Sequence, residues 1–169
     1  MRDADQLAAF EALSVADRAA EPLPSGRLST SHYRAIHRHL FQDVYPWAGR
    51  YRTVRMTKDA SPFCFPENIA AEMQGLFARL AADRYLQDRD AAGFVDGAAT
   101  FLAYLNAIHP FREGNGRAQL TFMALLSLRA GRPLDLNQLD PAAFLQAMVA
   151  SFFGDEAPLR QNLRALIVE

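Results

Sequence analysis

The sequence predicts a mainly α protein with one small β-hairpin. Two observations lead to this fold class. Apolar residues recur at helical spacing in most long segments, whereas alternating, extended residues occur at one place only, between residues 51 and 66. Half of the 169 residues are hydrophobic, which is enough for one core but short for two, so we expect a single domain over residues 1–169.

Capping residues and prolines mark most of the seven expected helices. Ser29 or Thr30 caps the second helix, Pro66 opens the third, and Asp140 before Pro141 opens the sixth. In chain order, the expected helices cover residues 5–13, 30–41, 66–85, 90–109, a segment that stops before Gly131, a segment from 141, and 158–168. Residues 19–27 are expected to form a loop.

The hairpin is expected between the second and third helices. Residues 51–56 alternate in the manner of a short strand, and residues 61–66 can return as its partner, with the turn at Lys58 and Asp59. Pro62 and Pro66 restrict this pair to a sheet edge. An exposed edge can align an incoming peptide, although a hairpin that only covers the core is the alternative.

Composition and charge exclude several classes of protein. A net charge of −1 and a pI near 6.4 do not favour nucleic acid or an anionic membrane as the main partner. No apolar stretch approaches the roughly 20 residues of a membrane span, and the acidic N-terminus lacks a signal peptide's basic region. The single cysteine, Cys64, excludes an internal disulfide and is expected to be an inert thiol. Arg50, Arg52 and Arg55 are interpreted as a solvated charged edge rather than a site for an acidic partner.

Three histidines on the second helix suggest a metal site at first sight. His32, His37 and His39 do not have the i, i+4 spacing of a helical metal pair, and no carboxylate cluster accompanies them. They are predicted to be surface or packing residues.

One run between the fourth and fifth helices is dense in reactive side chains. It consists of His109, Pro110, Phe111, Arg112, Glu113, Gly114, Asn115, Gly116 and Arg117. Pro110 cannot continue the helix and disfavours the α region at His109, so the imidazole is expected at a bend. The two glycines allow a tight turn whose N–H groups, with the dipole of the next helix, form an anion site. The pattern favours a phosphate cradle.

The side chains of this run suit phosphate chemistry. An imidazole with a pKa near 6.5 is a suitable general base, so His109 is the candidate. A carboxylate at Glu113 would repel a bare phosphate, and a bridging Mg²⁺ explains its presence. Asn115 can donate to a phosphoryl oxygen, and Arg117 lies one turn into the helix. A plain helix–helix turn with glycine caps is the alternative, but turns seldom need these groups together.

The run resembles the signature of the Fic (filamentation induced by cAMP) domain family, His-Pro-Phe-x-Asp/Glu-Gly-Asn-Gly-Arg-x-x-Arg. Residues 40–49 also resemble a segment that the family carries upstream, and the resemblance covers a core of about residues 28–150. It implies a Fic-type helical bundle and a Mg²⁺-dependent protein adenylyltransferase, which moves AMP from ATP to a Tyr, Thr or Ser hydroxyl of a target protein. On this resemblance His109 is the base, Glu113 holds Mg²⁺, and the phosphates are bound by Gly114, Asn115, Gly116 and Arg117.

The resemblance also implies that the hairpin is a flap, which clamps the target's backbone beside the histidine. The flap residues are Thr57, Lys58, Asp59, Ala60, Ser61, Pro62, Phe63, Cys64 and Phe65. One position departs from the signature, because Leu120 occupies the place of the family's second arginine. Two alternatives therefore stay open: transfer of a phosphate or another nucleotide-derived group from a reoriented donor, and a non-catalytic nucleotide-binding interaction module.

Regulation is the last expectation from the sequence. Many Fic proteins carry an inhibitory Ser/Thr-x-x-x-Glu-Gly/Asn helix, and neither end of this sequence contains that motif. We therefore expect either a separate antitoxin chain, which would make this protein a bacterial toxin, or an uninhibited transferase. The expected location is the bacterial cytoplasm, or a host cytosol if the protein is a delivered effector. Nucleic acid and membranes are not expected as partners.

Overall fold

The computed structural model describes residues 2–168, which form seven α-helices and one two-stranded antiparallel sheet. The helices are α1 (Arg2–Ala20), α2 (Thr30–Phe41), α3 (Pro66–Ala82), α4 (Ala91–Ile108), α5 (Asn115–Arg129), α6 (Pro141–Phe152) and α7 (Ala157–Leu166), and the strands are β1 (Thr57–Lys58) and β2 (Ser61–Pro62). Short 3-10 turns cover Arg84–Leu86 and Leu136–Gln138. The predicted fold class, mainly α with one small hairpin, is confirmed.

Helix α4 is the centre of the core. It packs against α3, α5, α6 and α7, and one cluster of buried apolar residues joins all of these helices. By length and hydropathy α4 also resembles a membrane span, which the sequence analysis did not anticipate. Half of the helix is buried against its neighbours, so its apolar character is explained by its place in the core.

Helix α1 is longer than the sequence predicted. The expected helix ended at residue 13, but α1 continues to Ala20 because no helix breaker occurs before Pro22. The extra turns bind the helix to the rest of the fold. Val15 is buried, and Arg18 forms an ion pair with Asp43, with 2.6 Å between Nε and Oδ2.

The predicted caps of several helices are present. Ser29 accepts a hydrogen bond from the His32 N–H at the start of α2, and the Asp140 carboxylate accepts two backbone N–H bonds at the start of α6. The third helix ends at Ala82 rather than residue 85, because the backbone has positive φ from Arg84 (φ 51°) to Leu86. These short-range signals place most helix ends within a few residues.

The hairpin is shorter than predicted and is shifted along the chain. Thr57 pairs with Pro62 and Lys58 with Ser61, and the turn is at Asp59 and Ala60, which both have positive φ. The expected strand at 51–56 is not formed, since this segment bonds elsewhere. Its residue Arg52, for example, donates its backbone N–H to the carbonyl of Pro110, at 2.8 Å.

Candidate active site

The loop between α4 and α5 presents His109 at a bend in the backbone. His109 is the C-cap of α4 and adopts the left-handed region, with φ 50° and ψ 64°. Its N–H still donates to the carbonyl of Leu105, which closes the last turn of the helix. This is the bend that Pro110 predicts from the sequence.

The imidazole of His109 is held in a largely buried position. The ring of Phe63 stacks on it, with 4.0 Å between ring centroids and 12° between planes. Burial and the positive charge of Arg52 lower the pKa of His109 to about 4, and the backbone carbonyl of Asn106 offsets only part of this effect. The ring is therefore neutral at pH 7 and can accept a proton.

Arg52 anchors this region from inside the protein. The side chain was interpreted as part of a solvated edge, which is wrong, because Arg52 is only 3% exposed. Its guanidinium donates to the carbonyls of His109 (2.7 Å), Ile108 (3.1 Å), Val54 (2.7 Å) and Cys64 (2.5 Å). One side chain thus joins the end of α4 to the segments that precede and follow the hairpin strands.

His37 holds the other side of the loop. Its Nδ1 accepts the N–H of Gly49, so its Nε2 carries the proton and donates to the carbonyl of Glu113, each at 2.9 Å. The imidazole also stacks on Phe111, with 3.7 Å between ring centroids. Packing was predicted for His37, but nothing in the histidine spacing indicated that it anchors the loop.

The two buried histidines predict that acid destabilises the protein. Burial is the main cause that lowers the pKa of both His37 and His109 to about 4. The unfolded chain, with pKa values near 6.5, therefore binds protons that the folded chain excludes as the pH falls from 6.5 towards 4. We expect the free energy of unfolding to fall by about 2 kcal/mol per histidine between pH 7.5 and pH 5.

Urea unfolding at both pH values measures this loss. His37→Gln is the matched variant, because glutamine keeps a side-chain amide but does not titrate, and its pH dependence is expected to be smaller by about 2 kcal/mol. An unchanged pH dependence in His37→Gln would show that this imidazole is not the group that titrates.

Glycine serves different purposes at the two loop positions, 114 and 116. Gly114 has φ 79°, and a Cβ there would lie 2.3 Å from the ring of Phe41, so the fold itself requires glycine. At Gly116 a Cβ would meet nothing within 4 Å. The fold therefore leaves Gly116 open to a close approach from outside, as a phosphate cradle needs.

The side chain of Asn115 has a role that differs from the predicted one. It is 3% exposed, its Oδ1 accepts the N–H of Phe111 (3.0 Å), and its Nδ2 donates to the Phe111 carbonyl (2.7 Å). The side-chain amide thus closes the loop, and its predicted bond to a phosphoryl oxygen stays a prediction. The backbone N–H of Asn115, in the first turn of α5, is the group that this residue offers to an anion.

Arg117 also makes contacts that the sequence did not predict. Its guanidinium forms an ion pair with Glu11 of α1 and lies over the ring of Phe41, 4.7 Å from the centroid. Glu11 accepts a second hydrogen bond from the hydroxyl of Tyr45. Helix α1 therefore reaches the loop, and a phosphate at Arg117 has to share this guanidinium with Glu11 or displace the carboxylate.

Two cavities meet at His109. The smaller one, of about 230 Å³, is bordered by Glu113 and the backbone from Gly114 to Gly116. The larger one, of about 360 Å³, lies between α5 and α6. Its apolar wall consists of Leu120, Leu139, Phe144, Leu145 and Met148.

Nothing in the sequence predicted this apolar wall, because the residues of α6 that form it have no local signal beyond ordinary helix periodicity. Leu120, the residue that departs from the signature, is part of the wall. Gln119 also lines the cavity, and its buried Nε2 has no hydrogen-bond partner among residues 2–168.

A model of the Fic/DOC family matches residues 27–127. The chain belongs to the Fic/DOC family. The chain is similar to "Probable protein adenylyltransferase y4lH" of Sinorhizobium fredii, with 51% identity over 166 residues, or 98% of this chain and 86% of that protein. It is 34% identical to "Probable protein adenylyltransferase Fic" of Escherichia coli over 82% of this chain and 69% of that protein.

A solved Fic structure has the same fold. The N-terminal Fic domain of a VirB-translocated Bep effector protein from Bartonella quintana, with bound ADP, is 27% identical and has a TM-score of 0.81. The alignment covers 97% of this chain and 84% of that one. The Fic-type helical bundle expected from the signature is confirmed.

The residues at the smaller cavity are compatible with Mg²⁺. Glu113 is exposed at its edge, and residues 2–168 contain no group of three His, Cys, Asp or Glu side chains that can hold a metal by itself. Mg²⁺ commonly uses one or two carboxylates and completes its shell with substrate phosphates and water. Glu113 fits this pattern.

The hairpin lies beside His109, as a target-positioning flap requires. The tip, from Thr57 to Ala60, is exposed, and Phe63 connects β2 to the imidazole. Cys64 donates its N–H to the carbonyl of Ala107, which fixes the second leg to α4, and burial raises the pKa of its thiol. The flap role of residues 57–65 stays a prediction.

Proposed function

We propose that this Fic protein transfers AMP from ATP to a hydroxyl side chain of a target protein. The observation that carries the proposal is a neutral His109 at the junction of a polar cavity and an apolar cavity. The larger cavity suits the adenosine and the smaller one suits the phosphates. Relatives that are named protein adenylyltransferases support this activity.

In the proposed reaction, His109 accepts the proton of the target hydroxyl. The hydroxyl oxygen then forms a bond to the α-phosphorus, and the bond between that phosphorus and the bridging oxygen breaks, so pyrophosphate leaves. The N–H groups at the start of α5 and the Gly114–Gly116 backbone bind the phosphates. Glu113 would hold Mg²⁺, which neutralises phosphate charge when it is bound.

The position of Leu120 favours this donor orientation. Leucine supplies an apolar surface to the larger cavity, where an arginine would attract a phosphate instead. This apolar surface supports a nucleoside, rather than a terminal phosphate, between α5 and α6.

The target and any regulator belong to the same proposal. We propose that the flap aligns an extended segment of a target protein by edge pairing, with the modified Tyr, Thr or Ser beside His109. A separate antitoxin also remains a proposal. Leu120 offers no guanidinium to its glutamate, so such a helix would act by blocking the apolar cavity. We propose the bacterial cytoplasm as the location, with delivery into a host cytosol as the alternative that the Bep effector relative suggests.

The position of the transferred phosphorus tests the proposed function. Lysate proteins are incubated with the protein, Mg²⁺ and ATP that carries ³²P at either the α or the γ position. We expect the α label, and not the γ label, to enter a protein band, and mass spectrometry of that band to show an added AMP. Transfer of the γ label would identify a phosphotransferase, and ATP binding without any transfer would identify an interaction module.

A further inference from the structure

A third cavity, of about 300 Å³, lies between α2 and the segment that follows Trp47. Arg34, Arg38 and Arg50 line it together with Ser31, and none of its lining residues is acidic. It shares no lining residue with either cavity at His109. A cavity with three arginines and no carboxylate is a candidate site for an anion.

Hydrogen bonds and close packing hold the wall of this cavity together. Arg34 Nε donates to the carbonyl of Gly49 at 2.9 Å, and its guanidinium lies over the ring of Tyr51. Gly49 has φ 77°, and a Cβ there would lie 2.8 Å from the Cβ of Arg38, so the two segments are in direct contact. This close approach places Arg50 on the same wall as the two arginines of α2.

The positive charge of this wall is not compensated within the chain. Residues 22–57 contain six arginines and one acidic residue, Asp43, whose carboxylate is bound to Arg18. Across the described chain, no ion pair involves Arg34, Arg38 or Arg50. Because like charges one helical turn apart repel each other, an external anion would stabilise this arrangement.

We propose that this cavity binds an acidic segment of a partner protein. The Cβ atoms of Arg34 and Arg38 are about 5–6 Å apart, as i, i+4 residues of a helix are. Alternate carboxylates of an extended chain are spaced about 6–7 Å, which matches this pair. Guanidinium groups bind carboxylates in a planar, bidentate geometry.

The surroundings favour a peptide over a nucleotide or a nucleic acid. Binding of a base needs an exposed aromatic face. None of the described residues that line this cavity is aromatic, and the nearby ring of Tyr51 is covered by Arg34. The cavity floor is formed by small residues, Ala35 and Ala48, which leave room for a polypeptide backbone. A net charge of −1 for the whole chain also disfavours nucleic acid.

Fluorescence anisotropy with a fluorescein-labelled hexaglutamate peptide tests the proposal on the full chain. The test variant is Arg38→Ala with Arg50→Ala, and it leaves Arg34 in place because that side chain holds Gly49. Arg79→Ala with Arg164→Ala is the control, since it removes the same charge from exposed positions outside residues 22–57. We expect the test variant to bind about tenfold more weakly and the control to stay within about twofold of the unmodified protein.

Three results would overturn the proposal. Equal weakening in the two double variants would show non-specific attraction to the whole chain. Equal binding of a hexalysine probe would show that the charge of the peptide is not recognised. Displacement of the peptide by an equal concentration of inorganic phosphate would identify a simple anion site. Thermal melting of each variant checks that the fold is retained.

Discussion

Replacing His109 with asparagine is expected to lower AMP transfer by about two to four orders of magnitude. The neutral imidazole is the one group at the junction of the two cavities that can take the hydroxyl proton at pH 7. Asparagine is the better replacement than alanine, because it tolerates the left-handed backbone at this position (φ 50°). Initial rates of α-³²P incorporation measure the loss.

A control must show that His109→Asn keeps the fold and the nucleotide site intact. ATP binding and the thermal midpoint of His109→Asn are expected to remain close to those of the unmodified protein. His39→Asn is the matched control, because the His39 imidazole bonds to the carbonyl of Arg18 in α1 rather than to the loop, and its rate should not change. If the rate of His109→Asn stays within about fivefold of the rate of the unmodified protein, the loss is too small for His109 to be the general base.

Replacing Arg52 with methionine is expected to lower the free energy of unfolding by about 3–5 kcal/mol. The variant keeps an apolar chain of similar length, but four backbone carbonyls lose their guanidinium donor. Two of them belong to Ile108 and His109, so AMP transfer should fall as well. Urea unfolding measures the stability, and the α-label assay measures the transfer.

Arg55→Met is the control for this prediction. Arg55 is an exposed arginine three residues further along the chain, and its guanidinium lies over the ring of Phe65, 4.5 Å from the centroid. Its replacement should change the stability by less than about 1 kcal/mol, as is usual for surface positions. Equal unfolding midpoints for the two variants would mean that water replaces the donors of Arg52 without a penalty.

Much of the fold was predictable because its signals are short in sequence. The caps at Ser29 and Asp140 are present as predicted, since an N-cap side chain bonds to a backbone N–H two or three residues later. The sequence predicted that a hairpin forms, but it did not predict which residues pair. Its strands are too short for a clear alternating pattern. Within residues 51–56, the N–H of Arg52 bonds to the carbonyl of Pro110 in the α4–α5 loop rather than to a strand.

The backbone conformation of the site was predictable from the sequence, whereas the contacts of its side chains were less predictable. Gly114 and the bend at His109 follow from residue types that restrict φ and ψ, and these restrictions act within the loop. The side chains of Asn115 and Arg117 were assigned to phosphates, because a sequence shows which groups can bind an anion but not which groups are already bound. Asn115 closes the loop, and Arg117 pairs with Glu11.

By itself, the sequence determined the helical class and the bend at His109, and it predicted residues 109–117 as a phosphate cradle, since each of these depends on neighbours along the chain. Tertiary structure alone decided what supports that loop. The bonds from Arg52 to His109, from His37 to Glu113 and from Arg117 to Glu11 join residues 57, 76 and 106 positions apart. Contacts at such distances arise only when the core brings α1, α2 and the hairpin together, because neither helical periodicity nor turn chemistry extends that far.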